Sequence, residues 1–238
     1  MPDSRHQLLA MLARLSFRLG EFKLSSGATS DYYVDCRTTT LDAEGARLTG
    51  RVFSDEIRRQ GWRPEAIGGM TLGADPIVVA VALLSAQQTQ TRAPARPKSV
   101  DTAEFLVHGF LVRKAEKTHG TGRQIEGFQR QGAKVVVVDD VCTTGSSTIQ
   151  AIEAARAAGM EVVGVMCLVE REEAGGRAAV EKAAAPAKFI SLFTAAEVRK
   201  EHLKQPPQPA FAVSAVCEIC GRPAVTNMPG NRCEAHRP

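Results

Sequence analysis

The sequence predicts an α/β protein in which helices flank a mostly parallel sheet. Residues 134–138 read Lys-Val-Val-Val-Val, a β-branched run typical of a strand that is buried on both faces. A polar turn over 139–147 leads into a predicted helix over 148–158, which Gly159 ends, and another strand is predicted over 162–169. Strands that alternate with helices in this order are typical of parallel sheets.

Elements of the same two types are predicted along the first half of the chain. The leucines of the first predicted helix recur at helical spacing and stop at Gly20: Leu8, Leu12, Leu15 and Leu19. The patterns then predict a helix over 42–60, a short strand over 66–69, a helix over 77–84 with Pro76 in its first turn, and a strand over 105–112. Residues 86–101 lack periodicity and are predicted to form a surface connection.

Composition limits the class of protein. The 238 residues are 44% hydrophobic and carry a net charge of +4, which is too small an excess to indicate a nucleic-acid partner. We find no apolar run of the roughly twenty residues that a membrane helix needs, and the first residues do not resemble a secretory signal. We therefore expect a cytoplasmic protein. Because the prolines within 205–212 cannot continue a helix or a central strand, we expect a proline-rich linker there, between a main domain over 1–204 and a small tail over 213–238.

The segment after the valine strand carries the strongest chemical signal. Asp139 and Asp140 stand at the carboxyl end of a predicted parallel strand, where open α/β sheets bind their ligands. Thr143–Ser147 follow directly before a helix, so backbone N–H groups and hydroxyls can cradle a phosphate while the carboxylates accept hydrogen bonds from a sugar. An ordinary polar turn capped by an aspartate is the alternative, although a cap does not need two consecutive acids.

This segment resembles the signature of the type I phosphoribosyltransferases. The resemblance implies binding of 5-phosphoribosyl 1-diphosphate, with Mg²⁺ held chiefly by the diphosphate and ribose oxygens. It implies that Asp139 and Asp140 contact the ribose hydroxyls and that Thr143–Ser147 hold the 5-phosphate. The donor-binding residues that it implies here are Asp139, Asp140, Val141, Cys142, Thr143, Thr144, Gly145, Ser146 and Ser147.

Two further stretches are similar to the orotate phosphoribosyltransferases. Residues 22–27 with 30–35 resemble that family's N-terminal signature, and residues 112–120 resemble its mobile catalytic loop, so the similarity extends over about 8–200. It implies that Lys117 and His119 close over the diphosphate as catalytic residues, together with Asp139 and Asp140. It also implies diphosphate contacts from Arg113 and Lys114. In that family the loop serves the neighbouring subunit, which implies a homodimer.

The residue types agree with this chemistry. The stretch from Arg113 to Lys134 has six Lys or Arg and two Glu, a local excess of 6 − 2 = +4. Loss of diphosphate from the anomeric carbon leaves an oxocarbenium-like centre and a highly charged leaving group, so cations matter more than a general base. A solvated basic loop is the alternative, since charge runs usually lie on exposed surfaces.

The base-binding residues are also implied by the resemblance. Arg171 matches the arginine that binds the orotate carboxylate, a task that suits a planar guanidinium. The alternative for Arg171 is a surface ion pair with Glu172 or Glu173. The other orotate contacts that the resemblance implies are Tyr33, Val34 and Thr143.

The chain departs from the family pattern at two positions. Ser25 and Gly73 stand where familiar members have lysines. Lys23 lies two residues before Ser25 and would share its side of a strand. These changes place turnover and substrate affinity in question more than they affect the class.

The tail contains a predicted zinc site. Its spacing, Cys-x2-Cys-x12-Cys-x2-His, supplies four ligands of the types that structural Zn²⁺ prefers, and a segment of this size is too short to bury a core without such a staple. The predicted ligands are Cys217, Cys220, Cys233 and His236. A disulfide would leave one of these three cysteines over.

These observations predict an orotate phosphoribosyltransferase that forms orotidine 5-monophosphate and diphosphate. One alternative is the same reaction on another base. Another is a regulator that senses the phosphoribosyl donor with this fold and binds nucleic acid or protein through the tail.

Overall fold

The structure, a computed structural model, describes residues 3–23, 29–91, 106–114 and 124–205. The helices and strands of these ranges belong to one compact unit that ends at His202. Nearly all of the predicted linker and the whole of the predicted tail lie outside the described residues, so the division into domains stays a prediction.

Strands form two sheets. β1 (Phe17–Lys23) and β2 (Thr29–Val34) pair antiparallel as a separate hairpin. The other strands are β3 (Ala66–Met70), β4 (His108–Val112), β5 (Ile125–Gly127), β6 (Lys134–Cys142), β7 (Glu161–Glu170) and β8 (Lys188–Thr194). They form one sheet in the order β5-β4-β3-β6-β7-β8, in which only β5 runs antiparallel to its neighbour, β4. The mostly parallel sheet predicted from the sequence is confirmed.

Helices connect these strands. In chain order they are α1 (Ser4–Met11), which continues as a π-helical stretch (Leu12–Ser16), α2 (Arg37–Thr40), α3 (Ala43–Arg59), α4 (Asp75–Thr91), α5 (Ser146–Ala157), a 3-10 turn (Glu172–Ala174), α6 (Arg177–Ala184) and α7 (Ala195–His202). Asp42 begins α3, since its carboxylate accepts the backbone N–H groups of Glu44 and Gly45. The helix predicted over 42–60 is therefore confirmed.

The core lies on both faces of the large sheet. Alternate valines of β6 point to opposite faces, Val135 and Val137 to one and Val136 and Val138 to the other, and all four are fully buried. The side chains of α1, α3, α4 and α7 cover one face, and those of α5 and α6 cover the other. The valine run is thus a doubly buried strand, as predicted.

Three predictions at element boundaries are wrong. Leu19 was placed in the first helix, but it lies in β1 opposite Tyr32, because pairing with β2 outweighs the helical spacing. The polar turn predicted over 139–147 is shorter, since β6 continues to Cys142 alongside β7. The surface connection predicted over 86–101 begins later, because α4 runs to Thr91. Within the described ranges no helix has the length and apolar character required to cross a bilayer.

Candidate active site

A cavity of about 860 Å³ opens at the carboxyl ends of the central parallel strands. Its walls come from the end of β2, the turn after β3, the residues after β4, the end of β6 and the residue after β7. It brings together many of the predicted site residues: Tyr33, Val34, Arg113, Lys114, Asp139, Asp140, Val141, Thr143, Ser147 and Arg171. Ligands of open α/β sheets bind at this edge because the loops that follow the strands converge there.

The two consecutive aspartates occupy different environments. Asp139 is 5% exposed, and its Oδ2 accepts a hydrogen bond from Thr148 Oγ1 at 2.7 Å. Its Oδ1 accepts the backbone N–H of Asp140 at 3.0 Å. Burial, followed by the neighbouring charge of Asp140, raises the pKa of Asp139 to about 7. Burial also raises the pKa of Asp140, which is half-buried.

Asp140 is packed against the turn after β3. A Cβ added to Gly73 would lie 2.3 Å from Asp140 Oδ1, closer than side-chain carbons come to any atom. The same oxygen accepts the Val141 backbone N–H at 2.9 Å, which fixes the direction of the carboxylate. Gly73, where a lysine was expected, is thus the residue that gives Asp140 its space in this cavity.

The predicted phosphate loop is a tight turn into α5. Gly145 has φ +78°, a conformation that side-chain-bearing residues rarely adopt, and an added Cβ would lie 2.3 Å from Val180 Cγ2. Ser146 begins α5, and both it and Thr144 are exposed. The twelve-residue helix directs its first N–H groups toward this loop, which is suited to an anion.

Arg171 lies at the end of β7 and is 7% exposed. Its backbone N–H bonds to the Cys142 carbonyl at 2.9 Å, which links it to the start of the phosphate loop. The alternative of a surface ion pair with Glu173 is correct only in part. The two side chains do pair at 3.0 Å, but the arginine is buried and lines the cavity.

Other positively charged side chains line the cavity at two places. Arg113 and Lys114 follow β4 and are exposed. Lys117 and His119 lie outside the described residues, so their predicted roles stay predictions. The sequence analysis missed Arg37, which lines the cavity and forms two hydrogen bonds of 2.8 Å with Asp35. The signal available was an Asp-x-Arg directly after the Tyr32–Val34 strand end.

Thr71, in the turn after β3, already forms a hydrogen bond with a neighbouring side chain. Thr71 Oγ1 donates to Asp75 Oδ2 at 2.8 Å. The other oxygen of Asp75 is buried and accepts no hydrogen bond within the described part of the chain. A role for Thr71 as a hydrogen-bond donor to the diphosphate would therefore require its hydroxyl to leave Asp75.

An apolar groove of about 1060 Å³ adjoins the cavity. The two share Asp35, Arg37 and Leu72 as lining residues. Several large apolar side chains of the groove are more than half exposed, namely Leu41, Leu72, Val79 and Leu83. Contiguous exposed apolar surface of this kind marks an interaction site.

The predicted zinc ligands of the tail lie outside the described residues. Within those residues there is no group of three or more His, Cys, Asp or Glu side chains that could hold a metal ion. The described cysteines, Cys36, Cys142 and Cys167, are free and buried.

Comparisons with known proteins point to one family. The profile of the phosphoribosyl transferase domain matches residues 87–189. The orotate phosphoribosyltransferase of Aquifex aeolicus is 41% identical over 197 residues, covering 82% of this chain and 97% of that protein. The protein of the same name from Streptomyces avermitilis is 41% identical over 189 residues, with coverage of 79% and 94%.

Solved structures give the same result. Orotate phosphoribosyltransferase of Mycobacterium tuberculosis H37Rv, in complex with Fe(III) dicitrate, superposes with a TM-score of 0.64 at 36% identity, covering 82% of this chain and 99% of that one. A second structure of that protein, in complex with 5-phospho-alpha-D-ribosyl 1-diphosphate, gives a TM-score of 0.58 at 30% identity, with coverage of 83% and 93%.

Proposed function

The chain belongs to the orotate phosphoribosyltransferase family, and from this premise we propose how its residues divide the work of the reaction. As a pentosyltransferase it transfers the 5-phosphoribosyl group of 5-phosphoribosyl 1-diphosphate to orotate. The bond from C1 of the ribose to the diphosphate breaks and its electron pair leaves on the diphosphate. The orotate nitrogen bonds to C1 and releases its proton to solvent. The observation that carries the assignment is one cavity that holds Asp139, Asp140 and the buried Arg171 together.

The phosphoribosyl donor is assigned to the end of β6 and the start of α5. The 5-phosphate binds at Thr143–Ser147, where helix N–H groups and exposed hydroxyls converge. Asp140 accepts hydrogen bonds from the ribose hydroxyls, since its carboxylate faces the cavity beside Gly73. We assign Asp139 to the ribose hydroxyls as well. Because it accepts a hydrogen bond from Thr148 of α5, it also fixes the orientation of the phosphate loop relative to β6.

Magnesium fits this arrangement as a companion of the donor. The cavity offers carboxylate oxygens, the ligand type that Mg²⁺ prefers, from Asp139 and Asp140. We assign most of the remaining coordination to diphosphate and ribose oxygens. When bound, the ion neutralises charge on the departing diphosphate. The protein contributes further positive charge from Arg113 and Lys114 at the cavity wall. The family resemblance supports a further role for Lys117 and His119, which we assign to the departing diphosphate.

Orotate is assigned to the space in front of Arg171. The guanidinium binds the carboxylate of the base, and Tyr33, Val34 and Thr143 border the same part of the cavity. This pocket supports discrimination among bases, because a base without a carboxylate cannot accept the charge-assisted hydrogen bonds that the guanidinium of Arg171 offers.

A second copy of the chain is the proposed occupant of the apolar groove. The groove exposes Leu41, Leu72, Val79 and Leu83, and it continues into the active-site cavity through Asp35, Arg37 and Leu72. A subunit that docks there lies beside the cavity, as the proposed sharing of the Lys117–His119 loop requires. A symmetric homodimer would cover the exposed apolar side chains and also bring the partner's loop beside the cavity.

The proposed assignments predict which bases react. Purified protein with Mg²⁺ and the donor is expected to release diphosphate with orotate and not with uracil, adenine or hypoxanthine. Arg171→Ala is expected to raise KM for orotate by roughly 100-fold, because the carboxylate loses its charge-assisted hydrogen bonding to the guanidinium. Release of diphosphate with another base would contradict the assignment of Arg171. Binding of the donor without turnover on any base would contradict the assigned catalytic roles.

The tail is proposed to hold a structural zinc ion, and its spacing Cys217-x2-Cys220-x12-Cys233-x2-His236 is the support for this. Cys220→Ser is expected to lose stoichiometric zinc, as measured by elemental analysis, and to lower the melting temperature. Cys167→Ala is the control, because it alters a described cysteine buried in the sheet and should keep the metal. Full zinc content in Cys220→Ser would exclude the proposed ligand set.

A cytoplasmic location and the lack of a nucleic-acid partner stay predictions from composition.

A further inference from the structure

The hydrogen bonds of Arg171 are concentrated on one edge of its guanidinium. Nε donates to the Tyr32 hydroxyl at 3.1 Å and to Glu173 Oε1 at 3.0 Å. Nη2 donates to Ser30 Oγ at 3.1 Å and lies 3.0 Å from the same Glu173 oxygen. Nη1 forms no hydrogen bond with any residue that the structure describes. Three side chains therefore hold the Nε–Nη2 edge and leave Nη1 available.

Tyr32 is itself held rigidly. It is 7% exposed, and its ring stacks on the fully buried Phe17 with centroids 5.2 Å apart and an interplanar angle of 14°. The guanidinium carbon of Arg171 lies 4.6 Å from the centre of the Tyr32 ring, within range of a cation–π interaction. The hydroxyl also donates to Glu173. Burial, followed by this bond to Glu173, raises the pKa of Tyr32 to about 12, so the hydroxyl keeps its proton near neutral pH.

The partners of the held edge are not lining residues of the cavity. Arg171 lines the cavity, whereas Ser30, Tyr32 and Glu173, all of them described residues, do not. Glu173 also balances the charge of the buried arginine when no substrate is present, which avoids the cost of an unpaired buried cation. Two residues of the β1–β2 hairpin thus hold Arg171, together with Glu173, and the side chain that they hold lines the cavity.

We propose that Ser30, Tyr32 and Glu173 are positioning residues that orient Arg171 so that its Nη1 side receives the carboxylate of orotate. The inference rests on the proposed role of Arg171 and deepens it. Two of the three residues belong to β2, so the hairpin affects selection of the base although neither side chain lines the cavity. A guanidinium that is held in place loses less conformational freedom when the carboxylate binds. The three positioning residues should therefore affect mainly the affinity for orotate.

The test is the steady-state kinetics of Tyr32→Phe, which keeps the stacked ring and removes the hydroxyl. KM for orotate is expected to rise about threefold to tenfold, because the guanidinium loses one of its three supports while Ser30 and Glu173 still hold it. The KM for the donor and kcat should stay near the wild-type values. Glu173→Ala should behave in the same way, whereas Glu173→Gln, which retains an acceptor oxygen, should recover most of the orotate affinity.

Asp31→Asn is the matched control in the same hairpin. It removes the 2.8 Å ion pair with Arg199 of α7 and leaves the partners of Arg171 in place, so KM for orotate should not change. In an Arg171→Ala background, Tyr32→Phe should have no further effect, because the hydroxyl acts only through the arginine. A persisting effect in that background, or an unchanged KM in Tyr32→Phe alone, overturns the positioning inference. An unchanged KM in Arg171→Ala overturns the proposed function instead.

Discussion

Gly73→Lys is expected to lower kcat/KM by about 100-fold, although it introduces the lysine that familiar members of the family have at this position. Any side chain at residue 73 begins with a Cβ that would lie 2.3 Å from Asp140 Oδ1 and 2.7 Å from its Cγ. The carboxylate must then move away from its hydrogen bond with the Val141 N–H. A shift of about 1 Å at a group that contacts the reacting sugar is enough for a loss of this size.

Gly73→Ala separates the collision from the added charge. It carries the same Cβ without an amine, so it should show a comparable loss of kcat/KM. Gly61→Ala is the control, because its added methyl group meets no atom within 4 Å. Since Gly61 has φ +70°, its substitution should lower the melting temperature and leave kcat/KM unchanged. Turnover in Gly73→Lys at or above the wild-type level would show that Asp140 is not constrained by this contact.

Local sequence signals were sufficient for the centre of the fold. The valine run of β6, the acids that follow it and the Gly145 turn into α5 form one continuous stretch, so strand, loop and helix could be predicted together. The β1–β2 hairpin was different. Its first strand continues the leucine spacing of the preceding helix, and its pairing with β2 depends on tertiary contacts that periodicity does not report.

The same limit applies to the candidate site. The family resemblance predicts Arg171 as an orotate-binding residue, but its contacts with Ser30 and Tyr32 join residues about 140 positions apart in the chain. The resemblance identifies Gly73 only as a position where a lysine is missing. Its contact with Asp140 is visible only in the folded structure. Sequence patterns and the family resemblance identified individual site residues, whereas the contacts between them required the structure.

Mixing two inactive variants is expected to restore activity if the proposed dimer shares its active sites. Lys117→Ala and Asp140→Ala should each lose at least about 100-fold in kcat, since one removes a cation from the leaving group and the other a carboxylate from the ribose site. After the subunits are exchanged in equal amounts, half of the dimers are hybrids. One site of each hybrid combines an intact Asp140 with the partner's intact Lys117, so the mixture should reach about one quarter of the wild-type activity.

A matched mixture distinguishes shared sites from independent ones. When the double variant Lys117→Ala/Asp140→Ala is mixed with wild type, shared sites inactivate every hybrid, and about one quarter of the full activity remains in the wild-type dimers. Independent sites would leave about one half, because each wild-type subunit would work regardless of its partner. Affinity tags of two kinds confirm that hybrids have formed. Purified hybrids of the two single variants with no activity would contradict the shared loop, and a lack of hybrids in a monomeric preparation would contradict the proposed occupant of the apolar groove.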